Sequence, residues 1–121
     1  MDKLDAIFTL QKQFQEALIE GRGLQGITPE EWIQKQSLAM VSELAELLDE
    51  VNFKWWKNPK PIDSAALKEE LVDILHFFVS MCITAGMTPE ELYGIYLEKN
   101  KENILRQEGK GKKGGYSPEG L

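Results

Sequence analysis

Apolar positions recur along this chain with the period of a helix rather than a strand. Leu4, Ile7, Phe8, Leu10, Phe14, Leu18 and Ile19 form an approximate 3.6-residue stripe that predicts a helix over residues 3 to 20, closed by the glycines at 21 and 23. Thr28 as N-cap, Pro29 at the first helical position and Glu31 as capping-box partner open a second helix, expected to reach residue 53. Its apolar face is Ile33, Met40, Val41, Leu44, Leu47, Leu48 and Val51. Pro59 and Pro61 cannot continue that helix, so the stretch before residue 62 is a break. Asp63 or Ser64 caps a third helix running to about Ala85 and stopped by Gly86. Thr88, Pro89 and Glu91 repeat the earlier cap and start a fourth helix to about Arg106, with no further repeat around them. The reading is all-α: a four- to five-helix bundle over residues 1–107, then a Gly- and Lys-rich tail over 108–121.

The third helix changes the picture from architecture to chemistry. From residue 71 to 83 it reads LVDILHFFVSMCI, where Asp73 is the only acid and His76 the only other group with a titratable ring. Apolar side chains cover almost the whole circumference, so this helix is expected to be buried. Glu70 and Asp73, three apart, share a face beside Ile74, Phe77 and Met81. Burying two carboxylates needs a cation, a proton or hydrogen bonds in compensation. The second helix carries Glu43, Glu46 and Glu50 in one stripe, which reads either as an ordinary solvated edge or as the facing half of the same site. Two such helices together make an all-oxygen site for Mg2+ or Mn2+.

Composition narrows the classes. The chain has 121 residues, 42% hydrophobic and 28% charged, enough for one compact domain. Its net charge of −6, from 20 acids and 14 bases, argues against nucleic-acid binding through phosphate attraction. The single cysteine, Cys82, lies in the apolar run and reads as a small core residue in a reducing compartment. Without a signal-peptide pattern or an apolar stretch of about 18 residues, the expectation is a cytoplasmic protein with no membrane partner.

Several other residues keep two readings. Gln11, Gln13 and Gln15 are solvated positions, or one of them turns inward to read a base edge. Trp55 and Trp56, with Lys54, Lys57 and Lys60 around them, either plug the bundle end or offer a stacking surface with cations near phosphate. His76 is a satisfied core histidine or a hydrogen-bonding group beside Phe77. The glycines and lysines of residues 109–115 form a solvated tail or a segment that folds over phosphates, without the spacing of a P-loop.

An acidic Glu-x-x-Glu pair, a break, and Glu-x-x-Asp on the next helix resemble the all-α nucleoside triphosphate pyrophosphatase superfamily, which includes MazG-like proteins and dimeric dUTPases. The dimeric dUTPase branch is favoured by Lys54, Trp55, Trp56 and Lys57 after the first pair, by Asp73, His76 and Phe77 around the second, and by Lys99, Asn100, Asn103, Arg106 and Gln107 ahead of Gly115 and Tyr116. The resemblance implies that Glu43, Glu46, Glu70 and Asp73 hold Mg2+ (or Mn2+) on the triphosphate, with Glu46, or Glu43, acting on the attacking water. It places His76 and Phe77 near the base, with Gln11, Trp55, Trp56 and Lys57 as further contacts. Lys99, Asn100, Asn103, Arg106, Lys110 and Tyr116 would meet sugar and phosphates, within the chain or from a second subunit of a homodimer or tetramer. It implies hydrolysis of dUTP to dUMP and pyrophosphate, with dCTP or a modified nucleotide as the alternative substrate and a non-catalytic nucleotide-binding or dimerisation module as the alternative class. The sequence departs from the branch in two ways: Phe14 stands where the dUTPases have an Asn three residues after the uracil-reading Gln, and the chain is shorter than the larger members, lacking their extra helical insertion.

Overall fold

A computed structural model describes residues 1–110. Four helices follow one another: α1 (Lys3–Arg22), α2 (Pro29–Glu50), α3 (Ser64–Thr84) and α4 (Pro89–Gln107). Two compact units divide the chain, Met1–Met87 with α1 to α3, and the part from Thr88 onward with α4. In the first unit α3 is the central element and packs against both α1 and α2. The expected all-α architecture is observed. The Gly- and Lys-rich tail beyond residue 110, and Tyr116 within it, lie outside the described residues.

Each helix begins where side-chain oxygens satisfy its first N–H groups. Asp2 and Asp5 form a reciprocal capping box on α1. At α2 the Glu31 N–H donates to Thr28 Oγ1 (3.2 Å), but the return arm differs from the expected box, because the Thr28 hydroxyl donates to the Glu31 carboxylate (3.2 Å). Asp63 caps α3 and Thr88 caps α4. The ends of α1, α3 and α4 are Schellman turns. Gly86, at φ +82°, closes α3 with its own N–H on Ile83 O and the Met87 N–H on Cys82 O.

The second helix stops at Glu50, earlier than the expected residue 53. Asn52 takes the left-handed conformation (φ +59°) and the Phe53 N–H folds back onto Leu48 O (3.2 Å). Asn tolerates that conformation better than other non-glycine residues, and here it has a second task. Its side-chain amide donates to Lys60 O and accepts from the Lys60 N–H, both at 2.9 Å. These paired bonds fasten the intervening Trp-containing loop into a closed turn, with Lys54 ion-paired to Asp49 (3.7 Å).

The expectation that α3 is buried throughout is corrected by the single chain. Among the described residues only Phe8, Val79 and Cys82 are buried hydrophobic side chains. Leu71 and Val72 stay about half exposed (52% and 51%), and Leu75 and Phe78 nearly so. The physical reason is geometric: at 100° per residue Leu71, Leu75 and Phe78 lie opposite Asp73, Phe77 and Ser80, and α1 and α2 cover only the latter side and the helix end. On α2, Leu38, Val41 and Leu48 are similarly uncovered. Trp55 (81% exposed) and Trp56 do not plug the bundle end.

Replacing Asn52 by Ala removes both loop bonds and the residue that tolerates positive φ. Unfolding in urea should show a loss of about 2 kcal/mol, while Asn52→Gly, which keeps the turn and loses only the loop bonds, should lose less. Equal losses in the two variants would show that the left-handed turn contributes nothing.

Candidate active site

The acidic stripe of α2 meets the start of the apolar run of α3. Glu43, Glu46 and Glu70 each offer a carboxylate oxygen within 4.8 Å of the others. Helical spacing puts Glu43 and Glu46 one turn apart on α2, and α2 packs on α3 closely enough to bring Glu70 between them. One oxygen of Glu70, Oε2, is sealed from solvent without a hydrogen-bond partner. Its acid pKa is pushed up to about 7, first by withdrawal from water and then by the Glu43 and Glu46 carboxylates beside it. A sealed, unpartnered oxygen in a cluster of negative charge is what a divalent cation neutralises, so the donor set fits Mg2+ or Mn2+. Asp73 is exposed and lies outside this trio, but it shares a cleft with Glu43.

That cleft, of about 380 Å³, runs between the first three helices. Its apolar walls include Phe14, Trp32 and Phe77, and its polar lining joins Glu43 and Asp73 to Gln11, Gln15, Gln36, His76 and Ser80. Gln11, expected either to be solvated or to turn inward, is buried, and its amide is held at both ends. Its Nε2 donates to Ser80 Oγ (2.8 Å), and its Oε1 lies 2.7 Å from His76 Nδ1. A carbonyl oxygen only accepts, so His76 carries its proton on Nδ1 and has Nε2 left for a ligand. Deeper along the same seam Gln15 Nε2 donates to Thr84 Oγ1 (3.2 Å), whose hydroxyl donates to Gln36 Oε1 (3.3 Å). Gln13 is exposed.

The structure thus brings Glu43, Glu46, Glu70, Asp73, Gln11, His76 and Phe77 to one continuous site. It places others elsewhere. Trp55 and Trp56 pack edge-to-face on each other (4.6 Å between ring centres) in the exposed loop, and Lys57 lines a shallow depression there with Asn52, Lys54 and Lys60. In the second unit Lys99, Asn103 and Arg106 share one face of α4 with Glu98 and Glu102, and Asn100 is exposed beside them. Arg106 pairs with Glu102 (3.8 Å), and Lys110 with Glu108 (3.9 Å).

Gln36, Ser80, Thr84 and Trp32 were not singled out from sequence, yet a signal for two of them exists. His76, Ser80 and Thr84 follow one another at four-residue spacing through an otherwise apolar run, and Gln11 and Gln15 do the same on α1. Two polar seams of equal period in sequence are the mark of one buried polar interface.

Helices alone, an acidic trio across two of them and a polar cleft opening from it define the all-α nucleoside triphosphate pyrophosphatase type. Residues 3–88 match the dUTPase family, and the chain belongs to it. It is similar to a dCTP pyrophosphatase of Enterobacteria phage LZ5, 33% identical over 75 residues, covering 62% of this chain and 44% of the relative. It is also similar to the dCTP pyrophosphatase of Enterobacteria phage T4, 46% identical over 48 residues, covering 40% of this chain and 28% of the relative. A DNA replication protein of the same phage is 46% identical over 41 residues, 34% of this chain and 10% of that one. The chain therefore spans less than half the length of these curated relatives. No solved structure matches it significantly.

The raised pKa of Glu70 makes the metal-free fold pH-sensitive. Because the folded pKa, about 7, exceeds the unfolded value of 4.5, the contribution of this group is fully present below about pH 4.5 and is lost as pH rises through 7. Thermal unfolding in chelator should show the melting temperature falling from pH 5 to pH 8 more in wild type than in Glu70→Gln. Mg2+ should stabilise wild type more at pH 8 than at pH 5. Identical pH profiles for the two proteins would remove Glu70 from the strained cluster.

Proposed function

We propose that this chain is a Mg2+-dependent pyrophosphohydrolase that cleaves the α–β phosphoanhydride of a deoxypyrimidine nucleoside triphosphate, dUTP or dCTP, releasing the monophosphate and pyrophosphate. The observation that carries the reading is that Glu43 belongs both to the carboxylate trio and to the cleft, so a cation site and a base-sized pocket share a wall. Family membership and the phage relatives point the same way.

Glu43, Glu46, Glu70 and Asp73 would hold Mg2+, with Mn2+ as a substitute. When bound, the metal neutralises phosphate charge and lowers the pKa of attached water. Glu46 is the most exposed of the trio, which suits it to orient the attacking water and take its proton, with Glu43 beside it. The new bond joins that water oxygen to phosphorus, and the bridging oxygen departs with pyrophosphate. Gln11, His76 and Phe77 hold the base at the other end of the cleft. Lys57, Lys99, Asn100, Asn103, Arg106, Lys110 and Tyr116, with Trp55 and Trp56, are assigned to sugar, phosphate and stacking contacts, supplied within the chain or by a second copy.

The uncovered apolar faces support a homo-oligomer, a dimer or a tetramer. Leu71, Leu75 and Phe78 on α3 and Leu38 and Val41 on α2 present more apolar surface than a stable monomer leaves in water, on the side away from the cleft. A partner covering them completes the core without blocking the site. No single helix among the described residues is long and apolar enough to cross a membrane, and the proposed setting is the cytoplasm, with no nucleic-acid partner.

Pyrophosphate release from dUTP and dCTP should require Mg2+ and fall by about 100-fold or more in Glu46→Gln. A folded, Mg2+-loaded protein that releases none from any nucleotide is instead the non-catalytic binding module. Sedimentation equilibrium should find a dimer or tetramer, which Leu75→Lys splits or prevents from folding. A wild-type monomer at tens of micromolar would sink the oligomer.

A further inference from the structure

Two hydrogen-bond relays line the cleft, and both end in an acceptor. In the first, Gln11 donates an amide hydrogen to Ser80 Oγ and turns its carbonyl to His76 Nδ1, which therefore carries a ring proton. The nitrogen left over, Nε2, is an acceptor. In the second, the Thr84 hydroxyl has one hydrogen and gives it to Gln36 Oε1, so Gln15 must meet Thr84 with its N–H2. The Gln15 carbonyl oxygen is then buried with no partner. A buried acceptor left unpaired is costly, and an incoming donor removes that cost.

The geometry points to a base pocket that selects an exocyclic amine, as on cytosine, over the carbonyl at the same place on uracil, with Gln15 as the residue whose unpaired oxygen sets this preference. The inference rests on the pyrophosphatase reading of the cleft and names its substrate. The cytosine amino group brings two N–H donors to that edge, whereas uracil brings an oxygen there and a single ring N–H. Facing Gln15 Oε1 or His76 Nε2, the uracil oxygen would meet another acceptor. Phe14 is consistent with this, since an Asn in its place would bring an amide whose N–H2 could serve a carbonyl.

The test compares kcat/KM for dCTP and dUTP with Mg2+, and calorimetric binding of dCMP and dUMP, in the full chain and in Gln15→Met. Wild type should favour the cytosine compound by about tenfold or more. Gln15→Met should bring the ratio to within about threefold of one, mainly through KM for dCTP. A role for Gln15 in packing alone would depress both nucleotides alike and leave their ratio in place, which overturns the assignment. Equal or greater preference for the uracil compound in wild type overturns the inference while leaving the pyrophosphatase intact. Hydrolysis of neither nucleotide overturns the pyrophosphatase reading instead, and the dCMP to dUMP binding ratio then still decides this one, with no binding of either counting against it.

Discussion

Crowding of like charge at the junction of α2 and α3 is the constraint around which this small protein is arranged. Glu43, Glu46 and Glu70 converge with no ion pair to a basic side chain among the described residues, and withdrawal from water together with the neighbouring carboxylates raises the Glu70 pKa to about 7. A core that served stability alone would place apolar side chains there, since removing a buried charge cluster usually stabilises. The helix pair tolerates the cluster because α3 is otherwise so apolar that its packing on α1 and α2 holds it in register. Function and stability are thereby set against each other along one helix.

That helix is divided lengthwise by chemistry. One side carries Asp73, His76, Ser80 and Thr84, and every one of these except Asp73 hydrogen-bonds to a glutamine of a neighbouring helix. The other side carries Leu71, Leu75 and Phe78, which stay half-exposed. Glutamine suits the first task, because one amide both donates and accepts and so can bridge a hydroxyl and an imidazole.

The elements were legible in the sequence where local chemistry decides them. Thr28, Asp63 and Thr88 declare helix starts, Gly23 and Gly86 declare ends, and the acidic pairs announce a carboxylate cluster. The end of α2 was not legible, because Asn52 reads as helical until its bonds to Lys60, eight residues on, are known. The depth of Gln11 was hidden for a related reason: it lies on the polar side of a helical stripe, and only the matching seam on α3 draws that side inward. The burial of α3 was overestimated because apolar periodicity reports what must be covered and says nothing of which chain covers it. Asp73 stands between the cases, placed on the expected face but beside the trio rather than within it.

Because the polar seam and the bare apolar face lie on opposite sides of α3, they are free to change separately. A substitution at Ser80 or Gln15 changes the hydrogen bonding of the cleft without touching Leu71, Leu75 or Phe78. The lining of the cleft can therefore vary while the apolar face behind it keeps its own constraint.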